Sequence, residues 1–336
     1  MSQQQTAMRD QVSVERPGKG SRRHVLDLDD FPKEEIEEVL STAKAMSEVL
    51  HRDIKKVPTL RGKTIVTMFY EASTRTRVSF EQAGKILSAD VINVSASTSS
   101  VEKGESLYNT GLTLQAMNAD VLVVRHPHSG APYMLANFLD CCVINAGDGA
   151  HAHPTQALLD IYTIKQHLGK TEGVKVVIVG DILYSRVARS NLWGLTKMGA
   201  RVVLCAPPTL MPPDLLNGYR TQEGHPLASV EVDTSVEHAL EGADVVMPLR
   251  LQQERQLRGH LPSLREYSRL YQINEERLSL ASPNVLVMHP GPMNEGIEVD
   301  SAVAHGAHSV IEEQVNNGVA VRMALLYSLA TPTREG

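Results

Sequence analysis

Thr64-Ile-Val-Thr-Met-Phe-Tyr70 is followed by Glu-Ala-Ser73-Thr-Arg-Thr-Arg77 and then by Val78-Ser-Phe-Glu-Gln-Ala-Gly-Lys-Ile-Leu87. The β-branched and aromatic content of residues 64–70 predicts a buried strand, and residues 78–87 have the pattern of a helix. The motif at residues 73–77 therefore lies at a helix start, where free backbone N–H groups and the helix dipole favour anions. With its hydroxyl and guanidinium groups, the motif predicts a phosphate site. The alternative is a Ser/Thr N-cap with two solvated arginines.

The alternation of strand and helix continues along the chain from about His24. A first group of strands is predicted at 63–70, 90–95, 120–124 and 142–145, with helices near 76–87, 104–117 and 130–139. A second group of strands is predicted at 174–180, 201–205, 243–247 and 285–288. This order of elements predicts an α/β protein with two doubly wound, parallel-sheet domains.

Two further helices connect and close this arrangement. Pro154 is well placed at a first helical position, and the apolar face that runs from there to Leu168 predicts one helix that bridges the two domains. A last amphipathic segment, at about 309–329, has no strand after it and is expected to pack back on the first domain. The predicted domains are therefore 24–155, together with a C-terminal helix at 309–330, and 156–308. Residues 1–23 are polar and lack the apolar core of a signal peptide, so a disordered extension is expected.

Composition narrows the function classes. The chain has 336 residues, 42% of them hydrophobic, and its 33 Lys and Arg against 39 Asp and Glu give a net charge of −6. This charge argues against nucleic acid or an anionic membrane as the main partner, and no segment approaches a membrane span. Cysteine occurs only at Cys141, Cys142 and Cys205, without the spacings of zinc sites or disulfide frameworks. A cytoplasmic enzyme that acts on small molecules is expected.

Polar residues follow most of the predicted strands. In open α/β sheets, ligands bind beyond the carboxyl ends of the strands, so these residues are candidates for a site. They are Ser73, Thr74, Arg75, Thr76, Arg125, His126, Asp148, His153, Gln156, Arg186, Arg250, Gln252 and the segment His289-Pro-Gly-Pro292. Because arginine binds carboxylate and phosphate through paired charge-assisted bonds, the four arginines predict two ligands that carry several negative charges. Taken singly, Arg186 or Arg250 could equally be a solvated loop charge.

Other motifs limit the chemistry. A neutral His153 could donate a hydrogen bond to a carbonyl oxygen on which negative charge develops. No thiolate or carboxylate cluster completes a catalytic zinc site, so no metal is expected. Gly180-Asp-Ile-Leu-Tyr-Ser-Arg186 lacks the G-x-G-x-x-G pattern of dinucleotide-binding proteins, which disfavours a nicotinamide-dependent dehydrogenase. Residues 95–106 are polar and, taken alone, are typical of a flexible connector.

Four motifs in this order resemble the carbamoyltransferases, the enzymes that carbamoylate aspartate or ornithine. The motifs are Ser73-Thr-Arg-Thr-Arg77, Arg125-His-Pro127, His153-Pro-Thr-Gln156 and Arg250-Leu-Gln252, and the resemblance extends from about His24 to Leu329. The ornithine branch typically carries His-Cys-Leu-Pro where this chain has His289-Pro-Gly-Pro292. The resemblance is therefore closest to the catalytic chains of the aspartate branch, which act in pyrimidine biosynthesis.

The resemblance implies a carbamoyl phosphate domain, an aspartate domain and catalysis without a cofactor. It implies that Arg75, Thr76, Arg125 and His153 act on the reacting groups and that Gln156 binds the carbamoyl amino group. The implied carbamoyl phosphate ligands are Ser73, Thr74, Arg75, Thr76, Arg125, His153, Gln156, Pro290 and Gly291. The implied aspartate ligands are Arg186, Arg250 and Gln252.

The resemblance also implies a homotrimer with shared active sites. In this family a serine and a lysine from a neighbouring subunit complete each site, and here they correspond to Ser99 and Lys103. Both would bind carbamoyl phosphate, and Lys103 would also contact aspartate and assist catalysis. Whether dihydroorotase or regulatory subunits join the trimer is left open by the sequence.

The chain departs from its relatives at Glu295, where an arginine is common, and at Leu183, where many have a lysine. These changes leave open how the loops near the substrate affect substrate affinity or domain closure. Two alternative functions also stay open. One is a carbamoyltransferase for another amine, such as ornithine or a diamine, and the other is a weakly active trimeric scaffold for a partner enzyme.

Overall fold

The computed structural model describes residues 22–95, 105–217, 225, 227–252 and 263–331. Its first part contains α1 Lys33–Leu50, β1 Thr64–Phe69, α2 Thr74–Ile86, β2 Asp90–Ser95, α3 Leu107–Ala116, β3 Val121–His126, α4 Ala131–Phe138 and β4 Cys142–Asp148. The four strands form a parallel sheet in the order β2-β1-β3-β4. We call it the first sheet.

The second part follows a connecting helix, α5 Pro154–Leu168. It contains β5 Lys175–Val179, α6 Arg186–Lys197, β6 Arg201–Cys205, α7 Pro213–Asn217, β7 Glu231–Asp233, α8 Val236–Leu240, β8 Val245–Pro248, α9 Leu264–Tyr271, α10 Glu275–Leu278, β9 Leu286–Val287 and α11 Ser301–Ala304. Its five strands form the second sheet, which is parallel and has the order β7-β6-β5-β8-β9. The chain ends in α12 Ile311–Ala330. The α/β prediction with two parallel sheets is confirmed.

The central strands explain why the sequence pattern was readable. Residues 65–69 of β1 and 121–125 of β3 are all buried, as expected for strands covered by helices on both faces. The sequence prediction gave no bounds for the helices between the strands of the second sheet, and it did not anticipate strand β7 or helix α1. Strand β7 has only three residues, is half-buried and lies at a sheet edge, so it lacks an apolar run. Helix α1 lies before the first strand, so it is not one of the helices expected between two strands of the alternating pattern.

Helices α5 and α12 join the two sheets. The residues of α5 from Pro154 to Ile164 are all buried, and the helix packs on α1, α6, α12 and β4. Helix α12 packs on α1, α2 and α5, which confirms that the C-terminal helix returns to the first domain. One continuous apolar core runs from Leu28 and Phe80 through α5 to Val176 and Leu204. The carboxyl ends of both sheets are therefore held on either side of one cleft.

No helix in the described ranges is both long enough and apolar enough to cross a membrane.

Candidate active site

The cleft between the two sheets has a volume of about 1250 Å³. Its first wall follows β1, β3 and β4, and its second wall follows β5, β8 and β9. Most of the predicted site residues that the structure describes line it: Ser73, Thr74, Arg75, Thr76, Arg125, His153, Gln156, Arg186, Arg250, Gln252 and His289-Pro-Gly-Pro292. The candidates His126 and Asp148 are outside this lining. Ser99 and Lys103 lie outside the described residues.

The phosphate motif forms the first turn of α2. Ser73 is the N-cap residue, with an extended backbone at φ −161° and ψ 95°, and its side chain makes no capping hydrogen bond. The N–H groups of the first turn have no partner within a helix, and Thr74 and Thr76 line the same cleft. The first turn of α2 is therefore arranged to receive an anion rather than to be capped by its own serine.

Arg75 packs against the loop that follows β9. Gly291 has φ +59°, and a Cβ atom built there would lie 1.6 Å from the Arg75 Nη1 atom. The pKa of Arg75 is lowered, first by its withdrawal from water and then by the positive charge of Arg250. Among the described residues no carboxylate pairs with Arg75. Two guanidinium groups thus face the same space, which favours a bound anion.

Arg125 and Arg186 meet at a residue that the sequence did not single out. Glu71 Oε1 accepts from Arg125 Nη2 at 2.6 Å and from Arg186 Nη2 at 2.5 Å, and Glu71 Oε2 accepts from Arg186 Nη1 at 3.2 Å. Glu71 thereby links the two walls of the cleft. Its signal was its position, two residues after the end of β1 and two residues before Ser73.

Backbone groups fix the same two arginines. Arg125 Nη1 donates to the Ala146 carbonyl at 3.2 Å, and Arg186 Nη1 donates to the Gly149 carbonyl at 3.2 Å. Gly147 has φ +115°, and a Cβ atom there would lie 2.9 Å from Arg186 Cζ and 3.2 Å from Arg125 Nη1. A side chain at this position would collide with both guanidinium groups, so the glycine lets them approach the end of β4.

The second wall holds Arg250 and Gln252 next to each other. Arg250 Nη2 donates to Gln252 Oε1 at 3.1 Å. The backbone N–H of Gln252 donates to Asp181 Oδ2 at 3.0 Å, and that of Tyr184 donates to Asp181 Oδ1 at 3.1 Å. Asp181 is fully buried, so it ties the loop after β5 to the loop after β8. The loop after β5 leads to Arg186 at the start of α6, and the loop after β8 carries Arg250 and Gln252.

His153 and Gln156 stand at the start of α5. His153 is the N-cap residue, is 4% exposed and donates its backbone N–H to Ser190 Oγ at 2.9 Å. Gln156 lies in the first turn and donates from Nε2 to Asp160 Oδ1 at 2.9 Å. Both side chains line the cleft beside Arg125. Their placement provides one imidazole and one amide next to the phosphate corner.

The two departures from the family pattern lie outside the cleft lining. Glu295 is exposed, and its Oε1 atom pairs with His305 Nε2 at 3.2 Å. The Leu183 N–H donates to the Leu210 carbonyl at 2.9 Å, while its neighbour Tyr184 faces the cleft. Neither change removes a charged group from the walls. In the described part of the chain, no group of three or more His, Cys, Asp or Glu side chains is placed to hold a metal ion.

Comparisons with known proteins agree with this geometry. The carbamoyl-P binding domain model of aspartate/ornithine carbamoyltransferases matches residues 23–166, and the Asp/Orn binding domain model matches residues 172–329. The aspartate carbamoyltransferase catalytic subunit of Roseiflexus sp. (strain RS-1) is 62% identical over 309 residues, which are 92% of this chain and 95% of that protein.

Solved structures give the same result. Aspartate transcarbamoylase from Trypanosoma cruzi, in complex with carbamoyl aspartate and phosphate, has a TM-score of 0.82 and 31% identity, and covers 91% of this chain and 95% of its own. Ornithine carbamoyltransferase from Pyrococcus furiosus has a TM-score of 0.81 and 31% identity, and the match covers 91% of this chain and 96% of that protein's chain. With both domain models matched in order along nearly the whole chain, this protein belongs to the aspartate/ornithine carbamoyltransferase family.

Proposed function

We propose that this protein transfers the carbamoyl group of carbamoyl phosphate to the amino group of L-aspartate, giving N-carbamoyl-L-aspartate and phosphate. The observation that carries the proposal is the cleft lined by Arg75, Arg125, Arg186 and Arg250, with a helix N-terminus at one end. Such a cleft suits one phosphate and one dicarboxylate. The product would enter pyrimidine biosynthesis. We propose that the residues of both walls have the roles that the family resemblance implies for them.

In the proposed reaction, the neutral amine of aspartate attacks the carbonyl carbon of carbamoyl phosphate. The new C–N bond forms, the bond from carbon to the bridging oxygen breaks, and the departing phosphate takes the amine proton. Arg75 and the first turn of α2 stabilise the leaving phosphate, while Arg125, Thr76 and His153 stabilise the oxyanion. Because carbamoyl phosphate is already activated, alignment and electrostatics suffice.

Aspartate is favoured over ornithine by the charge of the second wall. Arg186 and Arg250 would bind the two carboxylates of aspartate through charge-assisted hydrogen bonds. The side-chain ammonium of ornithine would meet the same guanidinium groups and be repelled. A scaffold without activity would need none of these residues, whereas the described site is assembled from both sheets.

We further propose a cytoplasmic homotrimer, in which Ser99 and Lys103 of a neighbouring chain complete each site. Exposed apolar side chains on α3 and α4 support a contact between first-sheet faces. Tyr108 and Phe138 are 38% and 60% exposed, and their ring centroids are 5.2 Å apart. Light scattering of the full chain tests this, since a mass other than that of three chains would contradict it.

The test of the reaction is product formation from carbamoyl phosphate with aspartate and, in parallel, with ornithine. The unmodified chain should form carbamoyl aspartate and little carbamoyl ornithine. The Arg250→Ala variant should lose most of this activity. Arg189→Ala is the matched control, because Arg189 is an exposed arginine on α6 outside the cleft lining. Product with ornithine alone would overturn the choice of acceptor, and no product with either amine would favour the scaffold.

A further inference from the structure

Gln156 is bound, on the side away from the cleft, by a carboxylate that the reaction itself does not use. Asp160 lies one helical turn further along α5 and is fully buried. Its Oδ1 atom accepts from Gln156 Nε2 at 2.9 Å and from Gln314 Nε2 at 2.8 Å, and its Oδ2 atom accepts from Asn191 Nδ2 at 2.8 Å. Three amide groups from three helices, α5, α6 and α12, thus converge on one carboxylate.

The charge state of Asp160 determines which end of each amide faces it. Burial raises the pKa of Asp160 to about 6, against the hydrogen bonds from the three amides and the positive charge of Arg322. Both oxygens of Asp160 accept from amide nitrogens, which is the pattern of an ionised carboxylate, and an ionised carboxylate only accepts hydrogen bonds. A neighbouring amide must turn its NH2 end towards Asp160. The opposite end of Gln156, the Oε1 atom, is then the end left for the cleft.

The orientation of Gln314 supports the same assignment. Its Nε2 atom donates to Asp160, and its Oε1 atom accepts from the backbone N–H of His289 at 2.8 Å. His289 opens the segment that contains Gly291 and contacts Arg75. Flipping the Gln314 amide would break both hydrogen bonds at once. Asp160 is therefore linked to the first turn of α5 through Gln156 and to the segment after β9 through Gln314.

We propose that Asp160 is a positioning residue that holds Gln156 with its carbonyl oxygen towards the ligand, so that the site selects a carbonyl substrate bearing an N–H donor over one bearing a methyl group. This inference rests on the proposed function and deepens it. The carbamoyl NH2 group donates to Oε1, whereas the methyl group of an acetyl compound leaves that acceptor unpaired. A site built to pair a polar group rejects an analogue that lacks it.

The test compares carbamoyl phosphate with acetyl phosphate as donors to aspartate. The measured quantity is the ratio of kcat/KM for the two donors, divided by the same ratio in the unmodified chain, so that their different intrinsic reactivities cancel. Asp160→Asn keeps the shape but offers both a donor and an acceptor, which allows the Gln156 amide to flip. We expect the carbamoyl preference to fall by about tenfold or more, because an unpaired or reversed hydrogen bond costs roughly that factor.

A double-mutant cycle separates positioning from a general structural effect. Gln156→Leu should lower the preference by a similar factor, and the Gln156→Leu/Asp160→Asn double variant should lower it no further. Asn191→Ala is the matched control, since it removes a different hydrogen bond to Asp160 and leaves Gln156 in place. It should lower the unfolding temperature without changing the preference. Asp160→Ser gives the same test if the asparagine variant folds poorly.

Several outcomes would overturn the inference. A preference unchanged in Asp160→Asn, or a double variant whose losses add, would show that Asp160 does not act through Gln156. If the unmodified chain formed no carbamoyl aspartate, the proposed function would fail and the inference with it. Product formation with an unaltered donor preference in the variants would instead refute the inference alone.

Discussion

Arg75 in the first wall of the cleft and Arg186 in the second wall differ in whether a carboxylate of the protein already binds them. In the first wall, Arg75 stands at the start of α2, and among the described residues no carboxylate pairs with it. In the second wall, Arg186 is already bound to Glu71 at 2.5 Å. Arg75 therefore presents a guanidinium group without a carboxylate partner to an incoming phosphate, whereas Arg125 of the same wall is bound to Glu71. The second wall presents an arginine whose orientation is set before the substrate arrives.

This difference suggests a division of tasks between charge stabilisation and orientation. A leaving phosphate gains negative charge during the reaction, so a free guanidinium beside it acts mostly in the transition state. The carboxylates of aspartate do not change charge, so arginines that bind them act equally before and during the reaction.

Arg75→Ala should have the largest effect, because it removes the guanidinium group that is proposed to stabilise the leaving phosphate. We expect kcat to fall by on the order of a hundredfold or more, with a much smaller change in the KM for carbamoyl phosphate. Steady-state kinetics with saturating aspartate measures both values, and Arg189→Ala should leave them unchanged. An Arg75→Ala enzyme with full turnover would refute the assignment of Arg75 to the leaving group.

Arg250→Ala tests the second wall. Losing a charge-assisted hydrogen bond should raise the KM for aspartate by about 10- to 100-fold. Binding of inorganic phosphate, measured by calorimetry, should weaken by a much smaller factor, because Arg75 and the first turn of α2, which are proposed to hold the phosphate, are unchanged. Loss of phosphate affinity as large as the rise in KM would mean that the two walls do not divide the ligands as proposed.

Gly291→Ala should disturb the first wall from across the cleft. A Cβ atom there would lie 1.6 Å from Arg75 Nη1, so the guanidinium has to move. Overpacking of this kind costs about 1–3 kcal/mol, and we expect affinity for carbamoyl phosphate to fall by about tenfold or more.

Gly296→Ala is the matched control for this change. Gly296 also has a positive φ, +83°, but its Cβ position is open, with no atom within 4 Å. Both variants should lose similar stability through backbone strain, and only Gly291→Ala should lose ligand affinity. Equal losses of affinity would show that loop strain, rather than contact with Arg75, is responsible.

Glu71→Gln should have the smallest effect, and it tests whether Glu71 orients Arg186. The neutral amide keeps the shape but makes weaker hydrogen bonds to Arg125 and Arg186. We expect the KM for aspartate to rise several-fold, because Arg186 loses the charge that orients it. A fall in this KM would mean that Glu71 competes with the substrate for Arg186 instead of positioning it.

Much of this architecture could be predicted from the sequence, because its strands are buried on both faces. The continuous apolar runs of β1, β3 and β5 made them visible, and the rule that ligands bind at the carboxyl ends of strands located Arg125, Arg186 and Arg250. Strand β7 was missed because a short, half-buried edge strand carries no such run.

The missed parts of the site are those that depend on contacts distant in sequence. Glu71 and Arg186 are 115 residues apart, and Asp160 and Gln314 are 154 residues apart. Each of these side chains also has an ordinary explanation from local pattern, as a loop acid or a polar helix residue. Only the packing of α5 against α6 and α12 shows that Asp160 is a buried acceptor for three amides.

The proposed function requires that one cleft binds a phosphate and a dicarboxylate on opposite walls. The most direct test is calorimetric titration of the full chain with a bisubstrate analogue that joins a phosphonate to aspartate. We predict one bound molecule per chain, with affinity much reduced in both Arg75→Ala and Arg250→Ala and unchanged in Arg189→Ala. Failure of the unmodified chain to bind the analogue, or binding that is insensitive to Arg250→Ala, would contradict the account.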